Sequence, residues 1–280
     1  MPQISVVIPT HNRADELGRA IGSVRQQTFP DVEIVVVDDG STNPGALSFL
    51  DTLSADVVLI RQAQAGPAAA RNTGVRHAAG QFIFFLDSDD ELAPECLAAL
   101  FEALQRRPAE GFAYSLVRLA GSASGIIGSE PNFFECLFAN RRPYAMLIGR
   151  SVFEAAGGYD EAMRLGNEDW EFNIRLGLAG YHGVRVDEPL LIYQIAESGL
   201  HQSVGVDNLA AARRYIERKH RDVFKLRALI DLWLRWRRVP SRRPLFAYLF
   251  LWAVSRLLTP EVYRACALML ARVRERRQAG

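Results

Sequence analysis

Strand-like and helix-like runs alternate through the first 120 residues, and this alternation restricts the fold more than any other feature of the chain. Ile4 to Ile8 is a short apolar run, Leu17, Ala20, Ile21 and Val24 follow at helical spacing, and Val32 to Val37 is rich in β-branched residues. The pattern continues with a short helix after Asn43-Pro44, a strand over Val57 to Ile60 and a helix across Ala68 to His77. A strand over Phe82 to Leu86 and a helix from Pro94 to Arg106 complete it. Such βαβ alternation predicts an α/β fold whose mainly parallel sheet is covered on both faces. Two of the strands run into acids, Asp38-Asp39 and Asp87-Ser88-Asp89-Asp90. Those acids therefore sit at carboxyl ends of strands, the edge where open α/β sheets bind ligands.

After a Gly/Ser-rich break from Gly121 to Pro131 the pattern becomes mixed, with a strand at Ala145 to Ile148, a turn at Gly157-Gly158, a helix over Glu168 to Ala179 and a strand over Val184 to Tyr193. Beyond about Gly205 the chain reads as helical, basic and tryptophan-containing. We expect a catalytic unit over residues 1–205 and a helical region over 206–280. The charge divides at nearly the same place: residues 1–210 carry 15 Lys/Arg against 27 Asp/Glu, a balance of −12, whereas residues 211–280 carry 18 against 5, a balance of +13. Charge alone lets such a segment meet nucleic acid, an anionic membrane or the protein's own acidic body.

Several function classes lack their signatures. No GxGxxG follows the first strand, and neither a GxSxG elbow nor an HExxH pair occurs. Cys96, Cys136 and Cys266 are odd in number and far apart, with neither zinc-site nor disulfide-framework spacing, which points to a reducing compartment. Met1 leads directly into the first strand without the regions of a secretory signal, so a cytosolic start is expected.

Four local signals carry chemistry. Val37-Asp38-Asp39-Gly40-Ser41 offers two carboxylates that can accept from a base or from ribose hydroxyls, or that simply form an Asx turn. In Asp87-Ser88-Asp89-Asp90, alternate carboxylates can hold a hard divalent cation beside a nucleotide, while Asp90 can also cap the following helix. Gly66-Pro67-Ala68-Ala69-Ala70-Arg71-Asn72-Thr73-Gly74 is a small-residue helix start; it permits close approach of a ligand or tight helix packing, and in isolation it places Arg71 on the surface. Asn167-Glu168-Asp169-Trp170-Glu171 opens a helix whose N-terminal dipole would keep an acid ionised, whether as a cap or as a general base.

Taken in order, Ser5-Val6-Val7-Ile8-Pro9-Thr10-His11-Asn12-Arg13, Val37-Asp38-Asp39-Gly40-Ser41, Ala70-Arg71-Asn72, Leu86-Asp87-Ser88-Asp89-Asp90, Gly157-Gly158-Tyr159-Asp160 and Glu168-Asp169 resemble the inverting family 2 glycosyltransferases of GT-A fold. The resemblance covers about residues 3 to 195. It implies a nucleotide-sugar-binding fold in which Thr10 and Asp39 line the base and ribose pocket, Asp39 on the base, with Pro9, Asp38 and Ser88 in the same set and Arg71 near the nucleotide. It further implies that Asp87 contacts ribose or metal, that Asp89 ligates Mn²⁺ or Mg²⁺ beneath the diphosphate, and that Asp169 deprotonates the acceptor hydroxyl. Uridine is the implied base. Many relatives carry Tyr-Arg-x-His after the last strand; here the segment is Tyr193-Gln194-Ile195-Ala196, and His201 is the nearest histidine for the metal.

In the tail, Leu245 to Val254 is too short to span a bilayer. Leu226, Leu229, Ile230 and Trp233 with Arg227, Arg235, Arg237 and Arg238 instead read as amphipathic helices suited to the inner face of an anionic membrane, with tryptophans at its boundary. The alternative is a helical subdomain packed on the body or on an oligomer partner. A lipid-linked or glycan acceptor is expected, and nucleic acid is not. A sugar nucleotidyltransferase would share the sheet and acids but needs a Gly-rich basic loop after the first strand, and a non-catalytic carbohydrate-binding relative would lack one of the acids.

Overall fold

The computed structural model describes residues 2–128, 132–140, 144–164, 166–195, 200–237 and 244–257. Its first half follows the expected alternation: β1 (Ile4–Thr10), α1 (Asp15–Arg25), β2 (Val32–Asp39), α2 (Pro44–Asp51), β3 (Val57–Gln62), α3 (Pro67–His77), β4 (Phe82–Phe85), β5 (Glu91–Leu92) and α4 (Cys96–Arg106). The second half comprises β6 (Phe112–Gly121), β7 (Gly125–Ile127), α5 (Phe133–Cys136), β8 (Leu147–Gly149), α6 (Arg150–Ala155), α7 (Glu168–Leu178), β9 (Val184–Ile195), α8 (Leu200–Lys219), α9 (Leu226–Trp236) and α10 (Leu245–Leu257).

One sheet holds all nine strands, in the order β3-β2-β1-β4-β8-β6-β9-β5, with β7 paired to β6. β3, β2, β1 and β4 are mutually parallel. Beyond them β8 lies antiparallel between β4 and β6, β9 runs parallel to β6, and the two-residue β5 closes the edge antiparallel to β9. The parallel half is buried on both faces, which explains its continuous apolar runs. Ile4, Val6, Ile8, Ile34, Val36, Phe84 and Leu86 pack toward α1 and α4. The alternate residues Val7, Val35, Val37, Ile83 and Phe85 pack toward α3, α6 and α7. The small residues of α3 serve this packing: a Cβ on Gly74 would lie 2.3 Å from Val7 Cγ1, so only glycine lets the helix approach β1 this closely.

A third apolar cluster joins the helical C-terminal part to the body. Phe133, Phe134, Trp170 and Ile174 pack with Ala212, Ile216, Phe224, Leu229, Trp236 and Tyr248. The tryptophans are thereby placed differently from a membrane boundary: Trp236 is buried against Phe133 and His182, and Trp252 Nε1 donates to the Phe224 carbonyl at 2.7 Å. Among the described residues no helix is long and apolar enough to cross a membrane. The His201 side chain and residues 258–280, Cys266 included, lie outside the described residues.

Candidate active site

Because β1, β2 and β4 are parallel, their carboxyl ends meet at one edge. Thr10 pairs in register with Asp38, and Val7 with Phe85, so Asp87 emerges beside Pro9 and Thr10. The loops leaving this edge are cross-braced. Asn12, held at φ +56°, accepts from the backbone N–H groups of Thr42 (2.7 Å) and Asn43 (2.8 Å), which ties the turn after β1 to that after β2. Asp38 accepts from Ser41 N at 3.0 Å, forming an Asx turn. Asp39 is buried and accepts from Ala65 N (2.9 Å), Gly66 N (2.8 Å) and Gln62 Nε2 (2.7 Å), which fastens the turn before α3. Both carboxylates thus shape the wall of the cleft with their own oxygens.

Among the described residues, one group of carboxylates is close enough to share a cation: oxygens of Asp87, Asp89 and Asp90 lie within 4.8 Å of one another. An all-oxygen donor set suits Mg²⁺ or Mn²⁺ rather than a soft metal, so the residues fit the expected ion. Burial, augmented by the negative charge of Asp87, pushes Asp90 up to about 8, and burial likewise raises Asp87. Such acids resist ionising together without a cation between them. Asp89, half-buried like Asp87, pairs with Arg13 at 2.6 Å. Asp90 is not a helix cap, because α4 begins at Cys96 after Glu95. It accepts instead from Gln194 N at 2.9 Å and from the Tyr144 hydroxyl, which itself accepts from Asp87 N at 3.3 Å. Ser88 is buried within the same loop.

Arg71 is 4% exposed rather than on the surface, because α3 directs it inward between two carboxylates and two rings. It pairs with Asp87 at 2.5 Å and with Glu168, and its guanidinium carbon lies 5.5 Å from the Tyr159 ring centroid and 5.7 Å from that of Tyr144. Burial alone would lower its pKa, but Asp87 and Glu168 hold it well above the ordinary value, so the cation is permanent. The next residue, Asn72, bonds Tyr159 both ways at 2.9 Å, to its carbonyl and from its N–H, which anchors the Gly157–Asp160 turn. Sequence reading did not find Glu168 and Tyr144 as partners of Arg71 and Asp90; the neighbouring Asp169 in the same acidic helix start was the available signal for Glu168.

Asp169 opens α7 and accepts from Asn140 Nδ2 at 3.0 Å. Burial raises its pKa, the Asn140 hydrogen bond and the Arg71 charge opposing it, where the helix start had suggested a readily ionised acid. Tyr193 on β9 lies within the field of these acids: burial and then the charges of Asp90, Asp87, Asp89 and Asp169 push its hydroxyl up to about 12. The structure therefore gathers Pro9, Thr10, Asp38, Asp39, Arg71, Asp87, Ser88, Asp89 and Asp169 around one sheet edge. His201 lies near the start of α8, its side chain not described. Thr10 Oγ1, Arg71 Nε and Glu168 Oε2 are buried without hydrogen-bond partners among the described residues, so polar capacity is left in the cleft wall. A cavity of about 460 Å³ beside Gln81 and Arg150 opens where β4 begins, at the opposite edge, and is no part of this cleft.

The family model for Glycosyl transferase family 2 matches residues 5–164, more than half of the chain. A GalNAc(5)-diNAcBac-PP-undecaprenol beta-1,3-glucosyltransferase of Campylobacter jejuni is 36% identical over 129 residues, 44% of this chain and 41% of that protein. Glycosyltransferase GlyA of Streptococcus pneumoniae is 34% identical over 104 residues, 36% of this chain and 15% of its own length. The chain thus spans well under half of these relatives. Among solved structures, S. aureus TarS 1–349 in complex with UDP-GlcNAc superposes with a TM-score of 0.64 at 20% identity, over 76% of this chain and 65% of that one, a likeness of fold.

Proposed function

The chain belongs to glycosyl transferase family 2, and from that premise we propose that it is a metal-dependent, inverting enzyme that moves a sugar from a UDP carrier to a hydroxyl of a glycan or lipid-linked acceptor. The observation that carries the reading is the facing of two acid sets across one cleft, Asp87, Asp89 and Asp90 at the end of β4 and Asp169 at the start of α7, with Arg71 fixed between them. A uridine diphosphate carrier accords with the UDP-GlcNAc that the TarS structure holds, and a lipid-linked acceptor with the undecaprenol substrate named for the Campylobacter relative.

In this reading Pro9, Thr10, Asp38 and Asp39 line the base and ribose pocket, and Asp87 and Ser88 meet the ribose. Asp89, with Asp87 and Asp90 beside it, would hold Mn²⁺ or Mg²⁺, and His201 is a further candidate ligand. Held by these carboxylates, such a cation would supply positive charge to the departing diphosphate. Asp169 accepts the proton of the attacking hydroxyl, and its raised pKa makes it a stronger base than an exposed aspartate. Attack from the face opposite the leaving group is one displacement, so the anomeric configuration inverts. Residues 1–205 carry this chemistry, and the basic region 206–280 rests peripherally on the cytosolic face of an anionic membrane, where polymers of the cell surface are assembled.

A hydrolysis screen across nucleotide sugars, with and without Mn²⁺, tests the reading. Release of UDP from at least one UDP-sugar only with the metal is expected; cleavage of none, or cleavage indifferent to metal, counts against it.

A further inference from the structure

We propose that Lys219, with His220 beside it at the end of α8, is a positioning residue for sugar transfer: it ties the helix bearing Asp169 to the Gly157–Asp160 turn and so fixes where the base sits. The inference rests on the reading of Asp169 as the base, and it gives the basic C-terminal region a part in the chemistry.

The tie is built on Glu171, two residues beyond Asp169 on the same helix and fully buried. Its carboxylate accepts from Arg175 Nε at 2.9 and 3.0 Å, and lies 2.9 Å from both Lys219 Nζ and His220 Nε2. Lys219 Nζ is also 2.5 Å from Asp160 Oδ2, which accepts from the Tyr215 hydroxyl at 2.8 Å. One ammonium therefore joins three elements, α7, α8 and the turn ending at Asp160. From that turn the contacts continue through Tyr159 to Asn72, from Asn72 along α3 to Arg71, and from Arg71 to Glu168 at the head of α7. They form a closed ring around the N-terminal turn of α7, where Asp169 lies. Arg175 braces the same turn from within α7, its Nη2 donating to Gly158 O at 2.5 Å, whereas Lys219, with His220 and Tyr215, ties it from the C-terminal region, and Lys219 alone of these reaches both Asp160 and Glu171.

A ring of this kind matters to a general base more than to the fold, because the base must stay within hydrogen-bond reach of the proton it takes. A misplacement of about 1 Å costs on the order of 10²-fold in rate. The nucleotide pocket is braced chiefly by Asn12 and Asp39, away from α7, and the ring meets it at Arg71, so loosening α7 is expected to cost the chemical step far more than donor binding.

The test uses the full chain carrying Lys219→Met, Lys219→Arg or, as a control on an exposed α8 cation, Arg214→Met. The readouts are kcat and KM for hydrolysis of the UDP-sugar that the wild type cleaves, UDP affinity with Mn²⁺, and thermal midpoint. Lys219→Met is expected to lower kcat about 10-fold or more, with KM and UDP affinity within about two-fold of wild type. Lys219→Arg should recover most of the rate, and Arg214→Met should match wild type. A Lys219→Met enzyme that melts earlier but turns over normally when folded would reduce the contact to packing and overturn the proposal, as would equal rate loss in Lys219→Met and Lys219→Arg. A wild type that cleaves no nucleotide sugar sinks the transferase reading instead; hydrogen exchange of the α7 amides then tests the tie alone, and unchanged exchange in Lys219→Met overturns it.

Discussion

At the scale of single residues, the proposed mechanism divides leaving group and nucleophile between Asp89 and Asp169, and the surroundings of the two acids differ. Asp89 is half-buried and paired with Arg13, a cation that in this reading would stay beside the phosphates when the metal ligand is lost. Asp89→Ala should therefore keep a residual, metal-independent UDP affinity while losing the increment that Mn²⁺ adds, by about tenfold or more. Calorimetry with and without Mn²⁺ reads that increment, and an undiminished one removes Asp89 from the metal site. Asp169→Asn should bind UDP normally but lose about 10² to 10⁴ in transfer rate. Because burial raises the pKa of Asp169, its ionised form appears only above the ordinary aspartate value of 3.8, so the rate should fall as pH falls through that raised value. A rate-versus-pH profile whose acid limb stays at 3.8 or below would contradict this. These acids were legible in the sequence because they terminate strand and helix patterns. The burial of Arg71 was not, since its partners Asp87 and Glu168 are 16 and 97 residues away and no local pattern reports them.

At the scale of elements, α7 is the piece whose placement the site depends on, and Glu171 offers a way to measure how firmly it is held. Burial would raise this carboxyl, but hydrogen bonds from His220, Arg175 and Lys219 bring it from 4.5 down to about 2. A carboxylate depressed in the folded state stabilises the fold above its unfolded pKa, and that stability is lost as pH falls from about 4.5 toward 2. The contribution is at most about 3 kcal/mol. Urea unfolding of Glu171→Gln across pH 2 to 7 should show lower stability at neutral pH and a flatter acid limb than wild type; parallel curves would mean that the cluster contributes nothing. The helix itself was readable from its acidic start and apolar face. The pairing of β8 between β4 and β6 was not, because three residues with no crossover pattern of their own do not specify a neighbour or a direction.

At the scale of the whole molecule, the −12 and +13 balances of the two parts are partly reconciled by contact, since Lys219 lies against both Asp160 and Glu171. Much of the basic charge nevertheless faces outward: Lys225, Arg227, Arg235 and Arg237 are all exposed. With Trp236 buried against Phe133 and Trp252 bonded to Phe224 within the helical region, the tryptophans hold the helices to one another and to the first part of the chain and leave other side chains to meet a bilayer. Leu226 and Leu234 on α9 and Phe246 and Phe250 on α10 are exposed, Phe246 by 74%. Phe246 and Phe250 stand four residues apart and so share one helix face, opposite the buried Tyr248. Each basic residue near an anionic leaflet contributes about 1 kcal/mol, and each inserted phenylalanine about 1.5 to 3 kcal/mol. Full-length protein should therefore sediment with vesicles containing anionic lipid, less with zwitterionic ones, and less again as salt screens the charge. Phe246→Ser with Phe250→Ser should weaken binding by about tenfold or more while leaving UDP affinity unchanged, because neither ring belongs to the cleft. Wild-type protein that ignores anionic vesicles would refute the membrane reading and assign this face to a second copy of the chain, which light scattering of the same two variants would detect as a concentration-dependent association lost on substitution.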